Sequence, residues 1–173
     1  MGPGRFPTPS HVTHSADHPK IELKVVINQV PIPEPGENEF LVRLASASLC
    51  HSDLMSMGEA FVAAGRTKPI TLGHEGAGYI EKFHPSAKGK GFSTGDAVGF
   101  LYIIGCCFEC EGCMVHNNHC LKKESKTQGF TFDGFFAEYG LVDYHSAIIL
   151  PSALDVTVAA PIFCAGVTCE SFA

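Results

Sequence analysis

The sequence predicts a mainly β fold: a partly open barrel of antiparallel strands with short helices and a cysteine-rich lobe. Three observations carry this expectation. Short apolar runs alternate with polar residues, Gly- and Pro-rich breaks separate them, and four cysteines lie close together at metal-ligand spacing. In a strand expected over residues 39–48, Phe40, Val42 and Leu44 alternate with Leu41, Arg43 and Ala45, so one face can be buried while Arg43 reaches solvent. Further strands are expected over 23–30, 76–83, 97–104, 135–142 and 147–150, the first closed by the turn Pro31-Ile32-Pro33-Glu34-Pro35-Gly36.

Length and charge narrow the function. A chain of 173 residues can bury one sizeable core but not two of ordinary size. Residues 1–20 hold four prolines and no hydrophobic periodicity, and read as a flexible tail in which His11, His14 and His18 are solvated. Residues 21–154 form the main domain, and 155–173 begin a helical segment capped by Ser152 or Asp155. The net charge of -6, from 18 acids against 12 bases without a Lys/Arg cluster, argues against nucleic acid as a partner. No apolar run approaches the roughly 18 residues of a membrane span, and residues 1–20 lack the apolar core of a secretory leader. A cytoplasmic chain with reduced cysteines is therefore expected, and its thiolates are available to hold metal.

Cys107, Cys110, Cys113 and Cys120 form C-x2-C-x2-C-x6-C, whose short spacers let four sulfurs wrap one ion. A closed set of four thiolates suits a structural zinc, which holds an irregular loop where there is no hydrophobic core. Cys106 adjoins the first ligand and is read as a spectator, because consecutive residues rarely aim at one ion. His116 and His119 are weaker rivals for the fourth position.

A second constellation is scattered along the chain. Leu49-Cys50-His51-Ser52-Asp53 and Gly73-His74-Glu75-Gly76-Ala77-Gly78 each sit at the edge of an expected strand, and supply a thiol, an imidazole and carboxylates. Catalytic zinc takes three protein ligands and leaves a position for water or substrate; Cys50, His74 and Cys164 would satisfy that rule. Met57 and residues 101–104 would border the ion and make its pocket apolar.

L-C-H-S-D, G-H-E-G-A-G, the four-cysteine lobe and A-P-I-F-C-A-G-V-T follow one another in that order, and the chain resembles the zinc-dependent medium-chain alcohol dehydrogenases over residues 23–168. The resemblance implies a GroES-like catalytic domain, with a Rossmann domain following it to hold NAD(P). It implies that Cys50, His74 and Cys164 bind a catalytic zinc, with Glu75 as a neighbouring or exchanging ligand and Asp53 orienting His74. Ser52 would hydrogen-bond the substrate hydroxyl and pass its proton outward, and His51 would contact the cofactor's phosphates. Zinc would polarise the alcohol oxygen while the carbon-bound hydride leaves for the nicotinamide. Two departures from the pattern are Met55, where many members end the proton relay with a histidine, and a last cysteine spacer of six residues instead of seven.

No G-x-G-x-x-G follows an expected strand, so these residues bring no Rossmann nucleotide site of their own. The expected function is that of a truncated, zinc-binding alcohol dehydrogenase-like oxidoreductase domain, acting on a small alcohol or carbonyl substrate and not competent for NAD(P)-dependent turnover alone. Two other readings are a stand-alone zinc enzyme using the site for hydration, elimination or cyclisation, and a zinc-stabilised interaction module. The latter would self-associate or pair with a full-length relative through apolar surface at residues 156–163.

Overall fold

Alternating apolar residues and glycines at close crossings build a five-stranded antiparallel sheet that carries the rest of the molecule. The computed structural model describes residues 10–14, 25–57, 69–116, 119–122 and 126–170. Its strands are β1 (Ser10–His14), β2 (Val25–Gln29), β3 (Glu39–Ala47), β4 (Gly76–Phe83), β5 (Ala97–Phe100), β6 (Ile103–Ile104), β7 (Lys126–Thr127), β8 (Tyr139–Asp143) and β9 (Ala147–Ile149). Among the described residues the α-helices are α1 (His51–Ser56), α2 (Glu111–Val115) and α3 (Ala165–Glu170). The main sheet runs β8-β3-β4-β5-β9, with β1-β2 and β6-β7 as separate two-stranded ribbons. It is a mainly β fold whose described strands leave the sheet open at β8 and β9.

The core lies on one face of this sheet, where Phe40, Val42, Ile80, Val98, Phe100, Phe135 and Val142 pack together. Arg43 is exposed and paired with Glu81, as the alternation requires. Leu41 is buried too, and the β3–β4 register shifts between Leu41 and Val42, where Glu81 of β4 is the extra residue.

Three segments depart from the sequence expectation. The strand expected over 97–104 breaks after Phe100: the Leu101 N–H turns to Ser146 O, the Tyr102 carbonyl accepts from Gln128 N, and Ile103–Ile104 pairs with β7 instead. The strand expected over 135–142 begins at Tyr139, since the amides of 134, 135 and 136 bond to the carbonyls of Thr71, Gly73 and Leu72. That pairing clamps the loop leading into His74. Within the expected tail, Ser10–His14 forms β1, antiparallel to β2, in a stretch where β-branched Val12 and Thr13 favour extended backbone. The other tail residues, and the side chains of His11, His14 and His18, lie outside the described residues.

The C-terminal stretch folds back onto the sheet. Asp155 caps a single turn, Val156–Val158, by accepting from Thr157 N at 2.9 Å, and a second turn, Ala160–Phe163, follows before α3. Val156, Ala159 and Phe163 are buried against Ala77 and Leu150, and Ala160 is buried beside them in sequence. The apolar surface expected at 156–163 is thus mostly interior, because these side chains find a partner in the sheet, and only Val158 and Ile162 among its large apolar residues stay exposed. Among the described residues no helix is long and apolar enough to cross a membrane.

Candidate metal centres

Cys107, Cys110, Cys113 and Cys120 converge, with all four sulfurs within 4.8 Å of one another. Cys107 Sγ is 3.9 Å from Cys113 Sγ and 3.8 Å from Cys120 Sγ. Four sulfurs at about 2.3 Å from a central ion have tetrahedral edges of about 3.8 Å, so the sulfurs already stand at zinc-binding separation. Cys110 caps α2, and its sulfur accepts from the amides of Cys113 and Leu121 at 3.5 and 3.4 Å. Those amides, Leu121 first, pull the Cys110 thiol down to about 6, whereas burial and the neighbouring sulfurs push Cys113 up to about 12. Burial pushes Cys106 up to about 11, which leaves it a neutral neighbour of the set. His116 and His119 stand outside the four-sulfur group.

The second group gathers Cys50, His74, Glu75 and Cys164, with donor atoms again within 4.8 Å of one another. Each donor arrives on a different support. Cys50 sits in extended backbone at the start of α1, where its N–H donates to Asp53 Oδ2 at 2.9 Å. His74 follows Gly73, which takes φ +92° against Phe136; a Cβ there would come within 2.6 Å of the Phe136 ring. Cys164 follows Phe163, whose ring fills the space above Gly99 so closely that a Cβ on Gly99 would lie 1.8 Å from it. The sheet therefore anchors Cys164 through its neighbour.

Asp53 is fully buried and grips two of these residues at once: Oδ2 takes the Cys50 amide, and Oδ1 accepts from His74 Nδ1 at 2.9 Å. With Nδ1 donating, His74 Nε2 keeps its lone pair and faces Cys164 Sγ at 3.3 Å. Burial opposes protonation of His74, but the hydrogen bond and charge of Asp53 outweigh it and raise the imidazole above its usual value. The Ser52 amide lowers the Cys50 thiol, helped by the Ser52 hydroxyl, while burial with Cys50 and Glu75 nearby pushes Cys164 up to about 12. His51 is exposed on the helix start, Met55 is exposed one turn on, and Met57 is buried with Ile70 and Leu72.

Phe130 and Ser48 escaped the sequence reading, whereas Tyr102 falls within the stretch 101–104 expected to border the ion. Phe130 lies with its ring centroid 4.8 Å from that of His74, and Tyr102 meets the same imidazole edge-on at 5.3 Å, so the ligand is walled by aromatics. Ser48 donates its hydroxyl to Glu75 Oε2. Nothing in the local spacing of either residue signals the contact, which arises from β-pairing and the turn after β7.

Residues 36–152 match the family model described as the alcohol dehydrogenase GroES-like domain. The chain belongs to that family. Alcohol dehydrogenase 1 of Emericella nidulans is 34% identical over 152 residues, which cover 86% of this chain and 41% of that protein. An alcohol dehydrogenase of Schizosaccharomyces pombe is 34% identical over 145 residues, covering 84% and 40%. Among solved structures, the alcohol dehydrogenase of Aeropyrum pernix superposes with a TM-score of 0.77 at 29% identity, covering 92% of this chain and 45% of that one. Galactitol-1-phosphate dehydrogenase of Escherichia coli gives 0.73 at 31% identity, covering 88% and 41%. The chain thus spans about two-fifths of the length of the curated relatives it matches.

Proposed function

We propose that the chain is the zinc-binding catalytic part of an alcohol dehydrogenase-like oxidoreductase acting on a small alcohol or carbonyl compound. The observation that carries this reading is the convergence of Cys50, His74, Glu75 and Cys164 from separate parts of the sequence, beside a second, four-sulfur group. The donor set fits zinc: two sulfurs and an imidazole whose other nitrogen is held by a buried carboxylate. Cys107, Cys110, Cys113 and Cys120 would hold a structural zinc. When bound at Cys50, His74 and Cys164, zinc supplies Lewis acidity to an alcohol or carbonyl oxygen.

The chain's own residues would do the rest. Asp53 holds the His74 tautomer and the Cys50 backbone together. Ser52, whose amide and hydroxyl both hydrogen-bond the Cys50 sulfur, would take the proton of a substrate hydroxyl. Met55 cannot relay it, so the proton passes from Ser52 by exposed His51 or water. Tyr102, Phe130 and His74 form a tight aromatic group that keeps water from the imidazole.

His51 is assigned to cofactor phosphate in this reading, and the dinucleotide fingerprint is absent from the 173 residues. Turnover therefore requires NAD(P)-binding residues beyond those present here, such as those of a full-length relative. Metal analysis should give two zinc ions per chain, and the purified chain should show no oxidation of alcohols with NAD or NADP. Folded protein that takes up no zinc at Cys50, His74 and Cys164 when zinc is supplied, or brisk turnover by the chain alone, would overturn the proposal.

A further inference from the structure

The β3–β4 ladder explains how Ser48 reaches the second group. Ala47 pairs with Gly76 at the end of that ladder, and one step further Ser48 stands opposite Glu75. There the Ser48 amide donates to Glu75 O at 3.4 Å, and its hydroxyl donates to Glu75 Oε2. Glu75 is only 2% exposed, so its carboxylate has lost most of its water. A carboxylate in that position is costly unless it is hydrogen-bonded or set against a cation. The Lys and Arg ion pairs among the described residues are Arg43 with Glu81, Lys82 with Glu34 and Lys122 with Glu109, and none reaches Glu75. Among the described residues, the carboxylate is met by the Ser48 hydroxyl on one side and by the Cys164 thiol, one of the proposed metal donors, on the other.

We propose that Ser48 is a positioning residue that holds Glu75 at the rim of the Cys50–His74–Cys164 group as its fourth donor, and so sets how tightly that site keeps a divalent ion. The proposal rests on the reading that this group binds metal. Ser48 acts through the carboxylate, in the way that partners of metal ligands fix ligand orientation.

The test replaces zinc with cobalt(II) in the full chain and follows each site by its absorption, because four thiolates and a two-thiolate, one-imidazole site give different bands. Chelator competition then yields the affinity of each site separately. Ser48→Ala should weaken the Cys50–His74–Cys164 site by about tenfold or more. The four-cysteine site should be unchanged, and a far-ultraviolet circular dichroism spectrum and denaturant midpoint like those of the wild type show that the sheet of the variant is folded. Ser48→Thr, which keeps the hydroxyl, should restore most of the affinity. In a Glu75→Gln background, Ser48→Ala should add nothing further. Unchanged affinity in Ser48→Ala, or an equal loss with and without Glu75, overturns the role of Ser48 while leaving the metal site standing. A wild-type chain that takes up cobalt only at the four cysteines overturns both.

Discussion

The two candidate metal centres differ in how their donors are brought together. In the lobe, Cys107 and Cys120 are 13 residues apart, and the described residues between them include one short helix. Its donors are half-exposed and no buried apolar cluster lies among them. In the second centre, His74 and Cys164 are 90 residues apart, and each donor leans on the sheet or on a buried carboxylate. Short spacers make the lobe cheap to close but leave it little to stand on without its ion. The long-range centre is assembled by the fold, so it should persist as a shaped set of donors when empty.

Removing metal is the strongest way to break that contrast. Chelation should cost the lobe most of its order, since structural zinc contributes on the order of 10 kcal/mol in small zinc domains. Amide hydrogen exchange should accelerate across the segment holding Cys107 to Cys120 and stay slow in β3, β4 and β5. Equal protection of both regions in metal-free protein would erase the distinction.

Gly99→Val attacks the opposite member of the pair. The new side chain meets the Phe163 ring, so overpacking should destabilise the sheet by about 1–3 kcal/mol and drag Cys164 away from His74. Denaturant unfolding and zinc content should show lowered stability and loss of one ion, with the lobe's ion retained. Asp53→Asn is subtler, because it preserves shape while weakening the hold on His74 and Cys50. About 10–100-fold weaker binding at the second centre is expected, with no change at the lobe. Competition with a chromophoric chelator would measure both.

The smallest effect is on pH. Metal binds thiolates, so sulfurs pushed up to about 12, Cys113 in the lobe and Cys164 in the second centre, must shed protons on loading. Cys110, drawn down to about 6, is already a thiolate at neutral pH and releases little. Affinity at both centres should therefore rise with pH, by up to about tenfold per pH unit for each proton released. Titration in weakly buffered solution would count the protons; uptake with no release at neutral pH would contradict the arrangement of high and low thiols.

What the sequence disclosed follows the same division. The lobe could be read from spacing alone, because all its geometry is local. Cys50, His74 and Cys164 stood out by residue type and by their order along the chain, but their convergence depends on sheet pairing that no short window contains. Ser48 and Phe130 left no signal, since one is placed by the β3–β4 register and the other by the turn after β7. The strands were legible wherever alternation held. They failed at Leu101 and Phe135, where backbone amides find partners outside the main sheet.

The double grip of Asp53 carries a consequence for anyone who would redesign the Cys50, His74 and Cys164 donor group. One carboxylate ties the backbone of the first thiol donor to the ring of the imidazole donor, so a change at either shifts the other. Cys50, Asp53 and His74 must be exchanged as a cassette, and single-residue engineering of that triangle should yield mostly empty sites instead of new specificities.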